Sequence, residues 1–485
     1  MLTVSQTEAA GKLQVGDWIS TGKYRAIAGN SIVILRESIL HYTVSSSNSV
    51  SPRNPGEPAP PTSRAGVLSV TLRALRYRNF QLFVSGQMIS LIGTWMQTIA
   101  ESWLVYRLRG SAFLLGAAGF ASQIPVFLVA PLGGIVADRF NRRQVVIATQ
   151  AASMILALIL AALTLSGRVQ VWQVFVLAAG LGVVNAFDIP ARQSFLVDMV
   201  GKEDLMNAIA LNSSMFNGAR VIGPAIAGIL VARIGEGWCF LVNGLSYIAV
   251  ITGLVMMRVE RPAALAAAAS PLAHIAEGFR FVRQTAPIRA LLLLLGLVSL
   301  VAMPYTVLMP VFADRILHGG ARGLGILMGA TGVGAFLGAL TLATRTGVRG
   351  LGRWVALACG GFAVSLMLFA ASRWLWLSAA LLLPVGFCMM LEMSSSNTLI
   401  QAMVPDHLRG RVMAVYSMMF MGMAPFGALF GGALAQHIGA PRTVMLGACA
   451  CLAGAVWFGC KLPYIRMEGR QLILAQEMAA GEPPE

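Results

Sequence analysis

The stretch "APLGGIVADRFNRRQVV", Ala130 to Val146, decides the fold. An apolar run stops for Asp138, Arg139, Arg142 and Arg143 and then resumes on the same pattern. Charges set this tightly between long apolar runs mark a turn at a membrane surface, where basic residues hold a loop on the cytoplasmic side. The whole chain agrees with that reading. Of its 485 residues, 57% are hydrophobic and 12% charged, whereas soluble domains carry about 25% charged residues. So little polar surface cannot cover a soluble exterior, and lipid must be the solvent. The apolar runs are long and continuous, rich in Leu, Ala, Gly and Met, so the spans are helices of about 20 residues and not the short alternating segments of a barrel.

Read in order, the runs predict an all-α membrane protein with 12 transmembrane helices. They lie near 80–107, 112–137, 144–166, 170–191, 205–232, 237–257, 288–311, 321–345, 352–371, 374–401, 411–436 and 441–462. With the start of the first span set inside, Lys and Arg on that side outnumber those on the other by more than two to one. Both termini are then cytoplasmic. The net charge of +16 does not point to nucleic acid, because the basic residues are scattered between spans and form no patch or arm. The six cysteines all lie inside apolar runs without metal spacing and read as small buried hydrophobes.

The longest interior connection separates spans six and seven and divides the chain into two six-helix bundles, 70–257 and 288–463, with a cytoplasmic linker at 258–287 and a cytoplasmic tail at 464–485. Within the linker, "HIAEGFRFVRQ" has helical spacing. A shift of 204 residues lays Met199–Gly235 over Met403–Gly439 without a gap, with identities that include Ala210, Gly218, Gly223, Gly228 and Gly235. That is an internal repeat of the parallel kind. Residues 1–64 stand apart. Their Pro- and Ser-rich end has no periodicity and is expected to be disordered; the true start of the chain falling near Val67, with the extension a gene-calling artefact, is an equal expectation.

Two six-helix bundles with a charged loop between spans two and three resemble the major facilitator superfamily. Gly134, Asp138, Arg139, Arg142 and Arg143 take the places of its signature, and Asn141 stands where the glycine of a left-handed turn is usual. "YRNFQLFVSGQMISLIGTWMQ", "FDIPARQSFLVDMV" and "LRGRVMAVYSMMFMG" resemble the branch that includes the enterobactin exporter and other bacterial efflux proteins. The resemblance implies a monomeric, multi-pass secondary transporter of the bacterial cytoplasmic (inner) membrane, without cofactor, metal or catalytic residues. It also implies a conformational latch in which Asp138 meets the start of helix eleven when the transporter faces outward. Asp188 could pair with Arg142 or Arg143 and complete that latch. Span five carries Ala219, Gly223, Pro224, Ala227 and Gly228 where exporters of the superfamily have a spaced glycine pattern ending in Gly-Pro, which implies export.

Charges at membrane depth are functional candidates. Glu101, Glu392 and Arg220 are the candidates for coupling to protons, with an ion pair between either carboxylate and Arg220 as the structural alternative. The amides Gln87, Gln97, Gln123, Asn185, Asn212, Asn217, Asn243 and Asn397 are candidates to line the cavity. A lining that is apolar with scattered amides predicts an amphipathic cargo, a drug or siderophore-like metabolite, exported by proton antiport. A proton-coupled importer of a small nutrient is the alternative. Histidines lie only in loops, span ends or the extension, and no phosphate-binding G-x-x-x-x-G-K-[ST] loop occurs, so neither an enzyme nor an ATP-driven pump fits.

Overall fold

In the computed structural model, residues 26–28, 31–33, 73–258, 271–345, 347–348 and 350–480 are described. They belong to two units, Met1–Pro61 and Thr62–Glu485. In the first, Ala26–Ala28 (β1) pairs antiparallel with Ser31–Val33 (β2), Ala26 opposite Val33. This hairpin is a small departure from an all-α chain; the Pro- and Ser-rich stretch expected to be disordered lies outside the described residues.

The second unit is helical throughout. A 3₁₀ turn, Arg73–Arg76, leads into α1 (Arg78–Arg109), α2 (Ala112–Arg139), α3 (Arg142–Leu165), α4 (Val171–Val200), α5 (Leu205–Ile234) and α6 (Glu236–Met256). A linker helix, Pro271–Gln284, precedes α7 (Ala286–Ile316), α8 (Gly320–Ala343), α9 (Leu351–Ala371), α10 (Leu375–Met403), α11 (Asp406–Ile438) and α12 (Ala440–Ala480). Among the described residues, eleven helices are long and apolar enough to cross a membrane. The one that falls short is α1. It is 32 residues long, but Asn79, Gln81, Gln87, Gln97 and Glu101 lower its apolarity. The last helix continues unbroken through Pro463 to Ala480, so the expected tail after residue 463 is largely helix.

Punctuation follows local chemistry. Glycine in the left-handed region closes α1 at Gly110 (φ 59°), where a side chain would be strained. Gly235 (φ 92°) and Gly439 (φ 87°) close α5 and α11; they are partners across the 204-residue repeat. Widened π turns interrupt α7 at Val298–Ala302 and Phe312–Ile316 and α11 at Met418–Gly422. Pro304, Pro310 and Pro425 stand within a few residues of these turns, and a ring nitrogen that cannot donate opens the helical ladder there.

Each half packs in the same way. In the first, α1 lies on α5 and α6, α3 on α4 and α6, and α2 on α4; in the second, α7 lies on α11 and α12, α9 on α10 and α12, and α8 on α10. The halves meet along two seams, α2 with α11 and α5 with α8. Leu128, Leu132, Leu357 and Trp376 are among many large apolar side chains on the outer surface. Exposed apolar patches on this scale suit lipid rather than water.

Candidate functional site

Both seams are tight at one end, called here the far end, where α1, α5 and α11 finish. A Cβ on Gly432 would lie 2.7 Å from the carbonyl oxygen of Ala112, and one on Gly228 would lie 2.9 Å from the Cα of Gly325. Small residues allow this approach of backbones. Hydrogen bonds across the halves reinforce it. Tyr106 donates to Asp314 (3.2 Å), Arg315 donates to the carbonyl of Gly110 (2.9 Å) and Ser111 donates to Gln436 (3.1 Å). Asp314, near the end of α7, is therefore part of the seam.

At the near end, where α2 finishes and α11 begins, the same two helices diverge. They enclose a cleft of about 680 Å³ lined by Gln123, Phe127 and Pro131 of α2 and by Arg411, Ser417 and Met418 of α11, among others. This is the size of a small-molecule site. Apart from Gln123, these residues carried no signal that separates a cleft wall from a buried helix face, and the sequence reading missed them.

The signature residues lie beside the near end. Asp138, in the last turn of α2, is exposed and makes no ion pair among the described residues. Gly134, one turn earlier, faces open space. Arg142 pairs with Asp198 (3.0 Å) and also donates to the carbonyl of Ser194 (3.2 Å). Arg143 donates to the carbonyls of Leu254 and Val255 (2.7 and 2.6 Å) and so caps α6. Arg139 is exposed. Neither Arg142 nor Arg143 pairs with Asp188, contrary to expectation. Asp188 is 4% exposed; it accepts from Thr149 (2.8 Å) and Gln150 (2.9 Å) and pairs with Arg192 one turn on (3.2 Å). A partner on its own helix needs no long-range search, which is why Arg192 takes the place. Asn141 likewise differs from expectation. Its φ is −64°, and its side chain accepts from the backbone N–H of Gln144 (3.3 Å) as the N-cap of α3. A polar residue that begins the next helix does not have to end the last one in a left-handed turn.

The membrane-depth charges do not join one another. Arg220 lies over the Trp95 ring, 5.7 Å from its centroid, a cation–π placement. Neither Glu101 nor Glu392 pairs with it. Glu101 is half-buried beside Gln97. Glu392 is 2% exposed; Ser396 donates to one oxygen (3.4 Å), and the other, Oε2, has no hydrogen-bond partner. Its electrostatic neighbours include Cys359 of α9, Cys451 of α12 and Tyr416 of α11.

Among the amides, only Gln123 is in the cleft wall. Asn243 of α6 donates to Gln97 of α1 (2.6 Å), both buried, so that pair ties two helices of one bundle together and does not line the cleft. Asn217 donates to the carbonyl of Ser213 (2.9 Å), and Gln87 is buried. Asn185, Asn212 and Asn397 are half-buried, the last accepting from Gln401. The helix-five residues Ala219, Gly223, Pro224, Ala227 and Gly228 are all buried. Gly223 presses on Trp95 of α1, whereas Gly228 and the carbonyl of Pro224 meet Gly325 of α8. This small face therefore forms part of a seam.

The family profile for transmembrane secretion effectors matches residues 69–480. The chain belongs to the transmembrane secretion effector family. It is a major facilitator superfamily transporter of the efflux type, a multi-pass protein of the bacterial cytoplasmic membrane. Among similar proteins, the staphyloferrin A transporter of Staphylococcus aureus is 26% identical over 364 residues, 74% of this chain and 90% of that one. The multidrug efflux pump Tap of Mycolicibacterium fortuitum is 28% identical over 73% of this chain and 88% of its own. The enterobactin exporter EntS of Shigella boydii is 24% identical over 81% and 92%. Among solved structures, the nucleoside transporter NupG superposes with a TM-score of 0.65 at 13% identity, covering 79% of this chain and 99% of NupG. A bacterial homologue of ferroportin in an inward-facing state gives 0.59 at 17%, covering 79% and 98%. Both share the fold.

Proposed function

We propose that the protein exports small amphipathic molecules, of the drug or siderophore kind, by proton antiport through alternating access. In this reading all of α1 to α12 cross the membrane, both termini are cytoplasmic, and the near end opens to the cytoplasm. The observation that carries it is the α2–α11 pair, zipped at one end and parted at the other around an apolar cleft. A helix pair closed at only one end offers cargo access from a single side. The cleft wall, with Phe127, Pro131, Met418 and Met421 against Gln123 and Ser417, suits a cargo that is largely apolar with a few polar groups. Relatives named for staphyloferrin A, for enterobactin and for multidrug efflux support that cargo class.

Glu392 supports the proton half of the reading. A buried carboxylate that makes no ion pair among the described residues, with one oxygen free of hydrogen bonds, is a functional candidate at membrane depth. Glu392 is not in the cleft wall, but Tyr416, next to the wall residue Ser417 of α11, is among its neighbours, so it would sense the cycle through α11 and not by touching cargo. In everted vesicles acidified inside, amphipathic drugs and siderophores are expected to raise the internal pH. That response is expected to disappear in Glu392→Gln, while cargo binding measured by quenching of intrinsic tryptophan fluorescence persists. Uptake of a small nutrient driven by external acid in whole cells, with no response in vesicles, would replace export by import.

A further inference from the structure

At the near end α11 holds the linker helix Pro271–Gln284. Arg411, in the second turn of α11, forms an ion pair with Glu277 of the linker helix. Gly278 sits directly against the same place; a Cβ on it would lie 2.6 Å from the carbonyl oxygen of Arg411. Arg411 is also a wall residue of the cleft. On the opposite wall the stripe Gln123, Phe127, Pro131 leads by helical spacing to Gly134 and Asp138, and Asp138 is exposed without an ion pair among the described residues.

The register of the two helices shows what closure brings together. At the far end Gly432 meets Ala112 and Gly119 meets Ala428. The numbers run oppositely and sum to about 546, because both helices rise by the same step per residue. A rocking motion about the middle keeps this register. Extended to the near end, it sets Asp138 level with about residue 408, in the first turn of α11. The π turn at Met418–Gly422 takes up one extra residue and moves the match slightly nearer the start of α11. Long side chains on a helix lean toward its N-terminus, so Arg411 leans toward the level of Asp138. Arg409 is otherwise engaged, with Asp406 on its own helix (2.6 Å), and is not among the cleft-lining residues.

That Asp138 meets the start of α11 on closure is what the superfamily resemblance implies; beyond it, we propose that Arg411 is the group Asp138 meets, released from Glu277, which holds it while the cleft is open, so that the linker helix is a brake on closure. Gly134 and Gly410 both face open space, and they leave room for the two helices to meet. The two carboxylates compete for one guanidinium, and the balance of states depends on both. The inference rests on alternating access.

The test uses the full chain in lipid nanodiscs, its six cysteines replaced by alanine. Spin labels at Phe140→Cys and Gln401→Cys report the near-end distance by pulsed electron resonance. Glu277→Gln is expected to raise the ratio of closed to open cleft about two- to fivefold, the range of a partly exposed ion pair. Asp138→Asn is expected to lower it by a similar factor. The deciding measurement is Glu277→Gln in an Arg411→Gln background, where no further change is expected. The exchange Asp138→Arg with Arg411→Asp is expected to restore closure lost in either single variant. A Glu277→Gln effect of full size without Arg411 would overturn the exchange, since the linker would then act by docking alone. One unchanging distance in every variant would overturn both the exchange and alternating access. Two distances indifferent to Glu277 would overturn the exchange only.

Discussion

The α2–α11 pair has glycines at both ends, and the two sets do opposite things. At the far end Gly116 and Gly432 sit so close to the partner backbone that neither has room for a Cβ. At the near end Gly134 and Gly410 face nothing within 4 Å. A glycine that faces space has no packing reason in this arrangement, and in the middle of a helix it costs about 1 kcal/mol relative to alanine. If the protein works by alternating access as proposed, the same helices carry the seam they use here and a second seam for the other state. The α5–α8 pair repeats the first half of this pattern. Gly228 meets Gly325 at the far end, and Gly228 is the repeat partner of Gly432.

The largest effect is expected at a used glycine. Gly432→Leu forces a side chain into the Ala112 carbonyl, and overpacking of this kind costs about 1–3 kcal/mol. The far end is then expected to open, with the closed-far-end population falling about fivefold or more. Loss of disulfide crosslinking between Phe113→Cys and Gln436→Cys, residues adjacent across the seam, measures it. Undiminished crosslinking would mean that the seam accommodates bulk and that its glycines do not set the closure.

An unused glycine makes the sharper contrast. Gly134→Leu meets open space here, so thermal stability in detergent is expected to hold or rise by a few degrees, since leucine is the better helix former by up to about 1 kcal/mol. Export is nevertheless expected to fall about tenfold, because the near end can no longer close. A stable variant with full transport would remove the second seam from the comparison.

Much of this was legible in the sequence, for physical reasons. Lipid leaves few solutions for a backbone, so long helices and their boundaries near Ala112, Leu205, Gly320 and Leu351 could be read without knowing any contact. The stretch Gly134 to Arg143 could be read as a helix break because charges interrupt the apolar run only there. What resisted reading was partnership. Asp188 found Arg192 and Arg142 found Asp198, choices among several arginines and carboxylates that no rule of spacing separates. Gln97 and Asn243, both plausible in a cavity, satisfy each other inside one bundle. Tyr106 and Asp314 are 208 residues apart, and nothing local links them. The single-ended opening of the α2–α11 cleft was also hidden, because a pattern of small residues does not say which end of a helix pair is closed.

The smallest expected effect tests the polar part of the far seam. Tyr106 donates to Asp314 at 3.2 Å, and Arg315 lies over the tyrosine ring, 5.8 Å from its centroid. Tyr106→Phe keeps the ring and the cation over it while removing one hydrogen bond. At 3.2 Å the bond is long for a hydroxyl donor, so it is worth about 0.5–1.5 kcal/mol, below the range of a short bond to a charged group. The closed-far-end population is therefore expected to fall about two- to tenfold, measured by the same crosslink. Asp314→Asn keeps an acceptor and is expected to fall less. If Asp314→Asn matches or exceeds Tyr106→Phe, the carboxylate acts through its charge on Arg315 and not through the tyrosine. The hydrogen bond would then be incidental to a seam whose closure depends on glycine packing.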